Sequence, residues 1–195
     1  MDHYLDIRLR PDPEFALPLL MGALYVKLHR VLAAQQRSDI GASFPGYSLV
    51  TPTGKGKTVP PTLGDTLRLH GSASALDGLM AANWLAGMRD HVTLGNIQPV
   101  PLHASLIRVQ RKQAKSNPGK ERERLMRRKG VSEAEALQLI PDDKAKWLDL
   151  PYLTLTSQST GQRFLLFIAQ QAATQAASGE FNAYALSQTA TLPAF

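Results

Sequence analysis

The chain has 195 residues with 22 Lys and Arg, 16 Asp and Glu, a net charge of +6 and 44% hydrophobic residues, enough for one large domain or two small ones. It has no cysteine, which excludes disulfides, thiolate metal ligands and cysteine nucleophiles. No apolar run approaches the roughly 20 residues of a membrane span and the N-terminus does not resemble a signal peptide, so we expect a cytoplasmic, bacterial protein with no membrane partner.

The first hundred residues alternate between strand and helix patterns. Leu5, Ile7 and Leu9 share one face of residues 3–10, which predicts a half-buried strand. Apolar residues recur at helical spacing over 17–35, which predicts an amphipathic helix. The other predicted elements are strands at 40–44, 66–70 and 92–100, and a helix at 74–82 that starts with a capping pattern at Ser74 and Asp77.

This order is β-α-β-β-α-β, the ferredoxin-like (RRM-like) arrangement that many RNA-binding folds share. The aromatic-rich central strands of the RNA recognition signature are absent, so any RNA site would lie elsewhere. Pro99 and Pro101 indicate a boundary after this region. We therefore predict an α+β protein with a ferredoxin-like domain at 1–101 and a second domain at 102–195, which carries an arginine-rich helix and a β-hairpin.

Residues 108–129 concentrate the positive charge of the chain. Ten of the 22 Lys and Arg lie there, opposed only by Glu121 and Glu123, so this segment carries about +8 and the remainder about −2. Phosphates favour clustered Lys and Arg through charge neutralisation and counterion release. A nucleic-acid partner is thus favoured over a solvated, salt-bridged helix face.

The basic segment divides into a predicted strand at 106–113 and a helix. Ser116 or Asn117 can cap that helix, Pro118 suits its first position and Gly130 its C-terminal end. Four basic residues share one helix face: Lys120, Arg124, Arg127 and Arg128. The remaining predicted elements are a helix between a Ser132–Glu135 capping box and Pro141, a hairpin of strands 152–156 and 162–169, and a strand near 181–186.

Histidine carries the possible chemistry. No two of the five histidines have metal-ligand spacing and the acids are scattered, so we expect neither a metal nor another cofactor. RNA supplies its own nucleophile, the 2′-hydroxyl, which one histidine with a serine or tyrosine can orient and deprotonate. By spacing alone, His29 fits a helix-surface or core histidine better than a catalytic one. Ser157, Ser159 and Thr160 likewise fit an ordinary turn.

Several short motifs follow one another along the chain, each at one place. They are MDHYLDIRLRPDPEF at the start, Lys27-Leu28-His29, Ser43-Phe44-Pro45, Lys115-Ser-Asn-Pro118, Arg124-Leu-Met-Arg-Arg128, Ser157-Gln-Ser-Thr-Gly-Gln162 with Phe164, and Tyr184-Ala-Leu-Ser187. With these motifs, the chain resembles the type I-F (Csy-type) family of CRISPR repeat endoribonucleases, the Cas-six-like enzymes that process precursor CRISPR RNA. The resemblance covers the whole chain.

The resemblance implies a catalytic site. His29 matches the histidine that deprotonates the 2′-hydroxyl before the cut, Ser157 the serine that holds this hydroxyl, and Tyr184 a tyrosine that helps place the histidine. Cleavage at the 3′ base of the repeat hairpin would need no metal and would leave a 2′,3′-cyclic phosphate and a 5′-hydroxyl. The product would stay bound and join other Cas subunits of the type I-F surveillance complex.

The resemblance also implies an RNA-binding surface. Arg111 and Gln113 match a pair that reads guanine and adenine at the hairpin base, although Arg108 with Gln110 is a second possible register. Phe164 matches an aromatic residue that stacks on the terminal base pair. The other implied RNA-binding residues are Lys115, Lys120, Arg124, Arg127, Arg128, Ser159 and Thr160. Two alternatives stay open: a non-catalytic subunit that binds an RNA hairpin, and a DNA-binding protein, which the lack of a helix-turn-helix pattern disfavours.

Overall fold

The structure, a computed structural model, describes residues 1–53, 57–113, 118–141, 148–157 and 161–195, without the side chains of residues 53, 57 and 120. Its helices are α1 (Leu17–Ala34), α2 (Ala73–Ala81), α3 (Pro118–Lys129) and α4 (Glu133–Leu139). Its strands are β1 (His3–Leu9), β2 (Gly41–Ser43), β3 (Thr51–Thr53), β4 (Lys57–Val59), β5 (Thr66–Gly71), β6 (Val92–Leu94), β7 (Gln98–Pro99), β8 (Ser105–Lys112), β9 (Tyr152–Thr156), β10 (Arg163–Ala173) and β11 (Leu192–Ala194).

By internal contacts the chain forms two compact units. One unit comprises residues 1–112 and 150–195, and the other comprises residues 113–149. The predicted boundary between residues 101 and 102 divides the sequence into two consecutive domains, whereas these units are defined by contacts. That boundary stays a prediction. Helices combined with antiparallel sheets confirm the α+β class.

The first sheet of the larger unit has the order β2-β5-β1-β6, with β7 also paired to β1. Every one of these pairings is antiparallel. Counted along the chain, its four main strands therefore lie in the order second, third, first, fourth. The strand predicted at 92–100 is two short pieces, because its pairing with β1 shifts by one residue between Leu94, opposite Ile7, and Gln98, opposite Tyr4.

Helix α1 packs against both β1 and β9. Its Leu24, Tyr25 and Leu28 are fully buried. With 18 residues and a mean hydropathy of 1.3, α1 is long and apolar enough to cross a membrane, so the expectation that no apolar run approaches that length is wrong for this helix. A single helix of this kind is weak evidence for a membrane, because core helices pass the same test.

The second sheet of the larger unit has the order β11-β8-β10-β9, again antiparallel. The predicted hairpin is confirmed, since Tyr152 on β9 pairs with Phe167 on β10. The strand predicted near 181–186 is wrong. Asn182 accepts the backbone N–H of Tyr184 through its side chain and turns the chain there, as Asn often does.

The helix ends differ from the prediction at one place and agree with it at three. Ser72, rather than the predicted Ser74, caps α2 by accepting the N–H of Ala75 at 3.1 Å. In the smaller unit, α3 begins at Pro118 as predicted and ends before Gly130, whose φ of 66° favours glycine. The predicted capping box before α4 is also present.

A histidine lies fully buried in the first sheet. His70 on β5 contacts the hydroxyl of Ser43 through Nε2 at 2.7 Å, and its Nδ1 has no partner among the described residues. Burial, together with the charge of Arg68, lowers the pKa of His70 to about 3. The imidazole is therefore neutral in the folded protein at every pH near neutrality.

We predict that His70 makes the protein less stable as the pH falls from about 6.5 towards 3. In that window the unfolded chain takes up a proton on this imidazole and the folded chain does not, so the free energy of unfolding falls by up to about 1.4 kcal/mol per pH unit. Urea unfolding at several pH values would measure this, with His70→Gln as the control that lacks the titration. Identical pH dependence in the two proteins would contradict the prediction.

Candidate active site

A pocket of about 280 Å³ opens in the larger unit beside α1 and the ends of β9 and β10. Its lining residues are Val26, His29, Arg30, Leu155, Thr156, Ser157, Phe164 and Tyr184. The pocket thus brings together the three predicted catalytic residues, although Ser157 and Tyr184 both lie at least 128 positions after His29 in the sequence. It also includes Phe164, the predicted stacking residue.

The imidazole of His29 has a defined orientation. Its Nδ1 lies 2.9 Å from the carbonyl oxygen of Ala183. Since a carbonyl can only accept, Nδ1 carries the hydrogen and Nε2 of the neutral ring is left with its lone pair. The ring also stacks on Tyr184, with centroids 4.0 Å apart and planes 2° apart. This half-buried histidine therefore has the tautomer that a proton acceptor at Nε2 requires.

The turn that carries Ala183 and Tyr184 is held on several sides. The hydroxyl of Tyr25 donates to the carbonyl of Tyr184 at 2.6 Å, and the side chain of Asn182 accepts the Tyr184 N–H at 2.8 Å. Ala185 has the left-handed φ of 55°, and its carbonyl accepts the N–H of Ala42 on β2 at 2.9 Å. Ala183, whose carbonyl binds His29, is thus part of a turn that is hydrogen-bonded to both α1 and the first sheet.

Ser157 follows the last residue of β9, where the hairpin begins to turn. Its backbone N–H donates to Gln162 at 2.9 Å, and its carbonyl accepts from Gly161 at 2.8 Å. These two bonds hold the backbone of Ser157 at the edge of the pocket. The predicted residues Ser159 and Thr160 lie outside the described residues.

The two possible reader pairs have different surroundings. Arg108 donates through Nε to the carbonyl of Thr189 at 3.1 Å, and Gln110 donates to the carbonyl of Gln188 at 2.9 Å. Arg111 lies 5.9 Å from the ring centroid of Phe164, and its buried Nε has no partner among the described residues. Gln113 is exposed. The side chains of the first pair thus bind the chain's own C-terminal segment, whereas Arg111 lies beside a residue of the pocket.

Helix α3 presents the predicted arginine cluster to solvent. Arg124, Arg127 and Arg128 are exposed on one face of this helix. Arg122 lies elsewhere on it and donates to the carbonyl of Ile140 at 2.8 Å. Of the other predicted contacts, Lys115 and the side chain of Lys120 lie outside the described part of the chain.

Sequence patterns missed three residues of the site: Tyr25, Arg30 and Asn182. Tyr25 precedes His29 by four positions, a spacing that places both on one helix face, so a signal existed. Arg30 directly follows His29 and adds a positive charge to the pocket lining. Nothing local marks Asn182, whose role depends on a turn that was predicted as a strand.

Comparison with known proteins places the chain in a family. The family model described as "CRISPR-associated protein (Cas_Csy4)" matches residues 4–195. The chain is 48% identical to the "CRISPR-associated endonuclease Cas6/Csy4" of Pseudomonas aeruginosa (strain UCBPP-PA14) and 40% identical to the protein of that name from Escherichia coli (strain UTI89 / UPEC), with 100% of each chain covered.

Among solved structures, the chain is similar to one titled "An RAMP protein binding different RNA substrates". The identity is 12% and the TM-score 0.37, over 98% of this chain and 100% of the other. A likeness at this level carries no conclusion, so the family rests on the sequence matches alone. On those matches, which span essentially its full length, the chain belongs to the Csy4 family of CRISPR-associated proteins.

Proposed function

We propose that the chain is an endoribonuclease that binds the stem-loop of CRISPR repeat RNA and cuts precursor CRISPR RNA at the 3′ base of that hairpin. The observation that carries this proposal is the pocket in which His29, with its Nδ1–H tautomer, meets Ser157 and Tyr184. The names of the two relatives, both CRISPR-associated endonucleases, support the same class of activity.

The proposed reaction uses the RNA's own 2′-hydroxyl. Nε2 of His29 accepts the proton of this hydroxyl, and the 2′-oxygen attacks the adjacent phosphorus. The bond from phosphorus to the 5′-oxygen breaks, and that oxygen takes up a proton, which gives a 2′,3′-cyclic phosphate and a 5′-hydroxyl. Ser157 holds the 2′-hydroxyl, and the charge of Arg30 favours the phosphate in the pocket.

We propose binding contacts on the basic segment and beside the pocket. Arg124, Arg127 and Arg128 would bind phosphates of the stem, which gives affinity and salt dependence rather than sequence choice. A-form major grooves are normally too narrow to read, but the groove of a short hairpin is more accessible at its two ends. Arg111 and Gln113 would read bases there, and Phe164 would stack on the terminal base pair.

We further propose that the N-terminal region is ferredoxin-like, which the antiparallel sheet with strands in the order second, third, first, fourth supports. The cleaved RNA would stay bound and join other Cas subunits of a type I-F surveillance complex in the bacterial cytoplasm. We propose that cleavage needs no metal ion. In the described ranges no three His, Asp or Glu side chains are grouped so that they could hold one.

A second candidate is an RNA-binding subunit without catalysis. The bond to Ala183 and the stacking on Tyr184 would equally hold a structural histidine in place. In that case His29 would stabilise the turn and hairpin binding would remain the whole function. Cleavage separates the two candidates.

We predict that the protein cleaves its cognate repeat hairpin in excess EDTA and that His29→Ala lowers the single-turnover rate by about 10²–10⁴-fold, the usual contribution of a general base. A hairpin with a 2′-deoxy nucleotide before the cut should bind and stay intact, because the nucleophile is missing. Labelled RNA resolved on denaturing gels measures the cleavage.

His103→Ala is the matched control, since His103 is exposed and does not line the pocket. This variant should cleave at the wild-type rate. Unimpaired cleavage by His29→Ala would exclude the proposed active site. Tight binding without cleavage by any protein would favour the binding subunit.

We also predict that Arg111→Ala weakens discrimination at one guanine of the hairpin base by about 1–3 kcal/mol, the range for a bidentate arginine contact. Arg108→Ala, the matched control, should keep that discrimination, because the Arg108 side chain already binds Thr189. Binding titrations against hairpins with a changed base pair measure the effect. The opposite pattern would assign the reading to Arg108 and Gln110.

A further inference from the structure

Two residues on one face of α1 bind two consecutive backbone carbonyls. Tyr25 and His29 are four positions apart, so their side chains leave the helix one turn from each other. His29 donates through Nδ1 to the carbonyl of Ala183, and Tyr25 donates to the carbonyl of Tyr184 at 2.6 Å. The carbonyl that determines the tautomer of His29 is therefore the neighbour of one bound by Tyr25.

The backbone of Tyr184 is held at both ends. Its N–H donates to the side chain of Asn182 at 2.8 Å, and its carbonyl accepts from Tyr25. The side-chain ring of this same residue stacks on the imidazole of His29, with ring centroids 4.0 Å apart. Both contacts that orient the imidazole, the carbonyl of Ala183 and the ring of Tyr184, thus depend on how this one residue is placed.

Tyr25 is suited to this task because it is a permanent donor. It is fully buried, and burial, with a smaller effect of Tyr184, raises the pKa of its hydroxyl well above the usual value. The hydroxyl therefore stays protonated at every pH at which RNA is stable to hydrolysis by base, and so at every pH at which enzymatic cleavage can be measured. Its ring also packs near that of Phe44, with centroids 6.0 Å apart, which holds the side chain independently of the hydrogen bond.

We propose that the Tyr25 hydroxyl is a positioning group for the proton acceptor His29: it holds the carbonyl of Tyr184, and through it the adjoining peptide that keeps the hydrogen on Nδ1. Tyr25 touches neither substrate nor reacting atoms in this account. The inference rests on the proposed function only for its effect on cleavage. Its effect on the imidazole can be measured without RNA.

Tyr25→Phe tests the proposal because it removes the hydroxyl and keeps the ring with its packing. The single-turnover rate at saturating protein should fall about tenfold, the loss expected for one orienting hydrogen bond, with the affinity for a 2′-deoxy hairpin changed less than about twofold. In the free protein, nitrogen-15 NMR of the imidazole should show less of the Nδ1–H tautomer of His29 than in the wild type. A purely structural role would lower stability and leave tautomer and rate unchanged.

Tyr47→Phe is the matched control. Tyr47 also donates from a partly buried hydroxyl to a backbone carbonyl, that of Ile168, at 3.4 Å, and it does not line the pocket. This variant should keep both the wild-type rate and the wild-type tautomer, and melting curves would verify that both variants fold.

The possible outcomes separate this inference from the proposed function. A wild-type rate and tautomer in Tyr25→Phe would overturn the inference while cleavage by the wild type upheld the function. If the wild type does not cleave at all, the function fails, and the tautomer comparison alone decides whether Tyr25 orients His29. A slower Tyr25→Phe with an unchanged tautomer would also overturn it.

Discussion

The hydrogen bond from Nδ1 of His29 to the carbonyl of Ala183 determines what the pocket can do. It gives the imidazole one tautomer, so that the nitrogen with the lone pair is Nε2. With the other tautomer the same residue at the same place would offer a hydrogen where a proton acceptor is needed. The chemistry proposed for this chain therefore depends on a contact between residues 154 positions apart.

Packing of the C-terminal segment onto the first sheet makes that contact possible. Gly41 on β2 allows the close approach, because a Cβ atom would lie 2.6 Å from Cδ2 of Leu192 and 2.7 Å from Cε1 of Phe181, and those side chains would have to shift. Ala42, the next residue, donates to the carbonyl of Ala185. The strand thus approaches the segment closely enough to hold the turn between Phe181 and Leu192, and α1 holds the turn from its other side. Two elements of the first hundred residues position a loop from the last fifteen.

Local patterns predicted the elements that local forces determine. Alternation identified β1, and the turn composition between two strands identified the β9–β10 hairpin. Helical spacing identified α1, and the charge cluster with Pro118 and Gly130 identified α3. The turn at 181–186 was missed because its apolar residues are buried by tertiary packing and its direction depends on the side chain of Asn182. The surroundings of His29 likewise could not be predicted from the spacing of residues in the sequence, because a core histidine and a catalytic histidine have the same spacing on a helix. Resemblance to a family, rather than physical patterning, singled out His29, Ser157 and Tyr184, and the structure shows that all three line one pocket.

In the reaction proposed for this chain, Nε2 of His29 accepts the proton of the 2′-hydroxyl. The most direct test is a crystal structure of the chain bound to its repeat hairpin with a 2′-deoxy nucleotide before the cut. We expect Nε2 to lie at hydrogen-bond distance, about 2.6–3.2 Å, from the position that the missing 2′-oxygen would occupy, with Nδ1 still bonded to Ala183. A hairpin bound with that nucleotide outside the pocket, or an imidazole turned away from it, would contradict the claim.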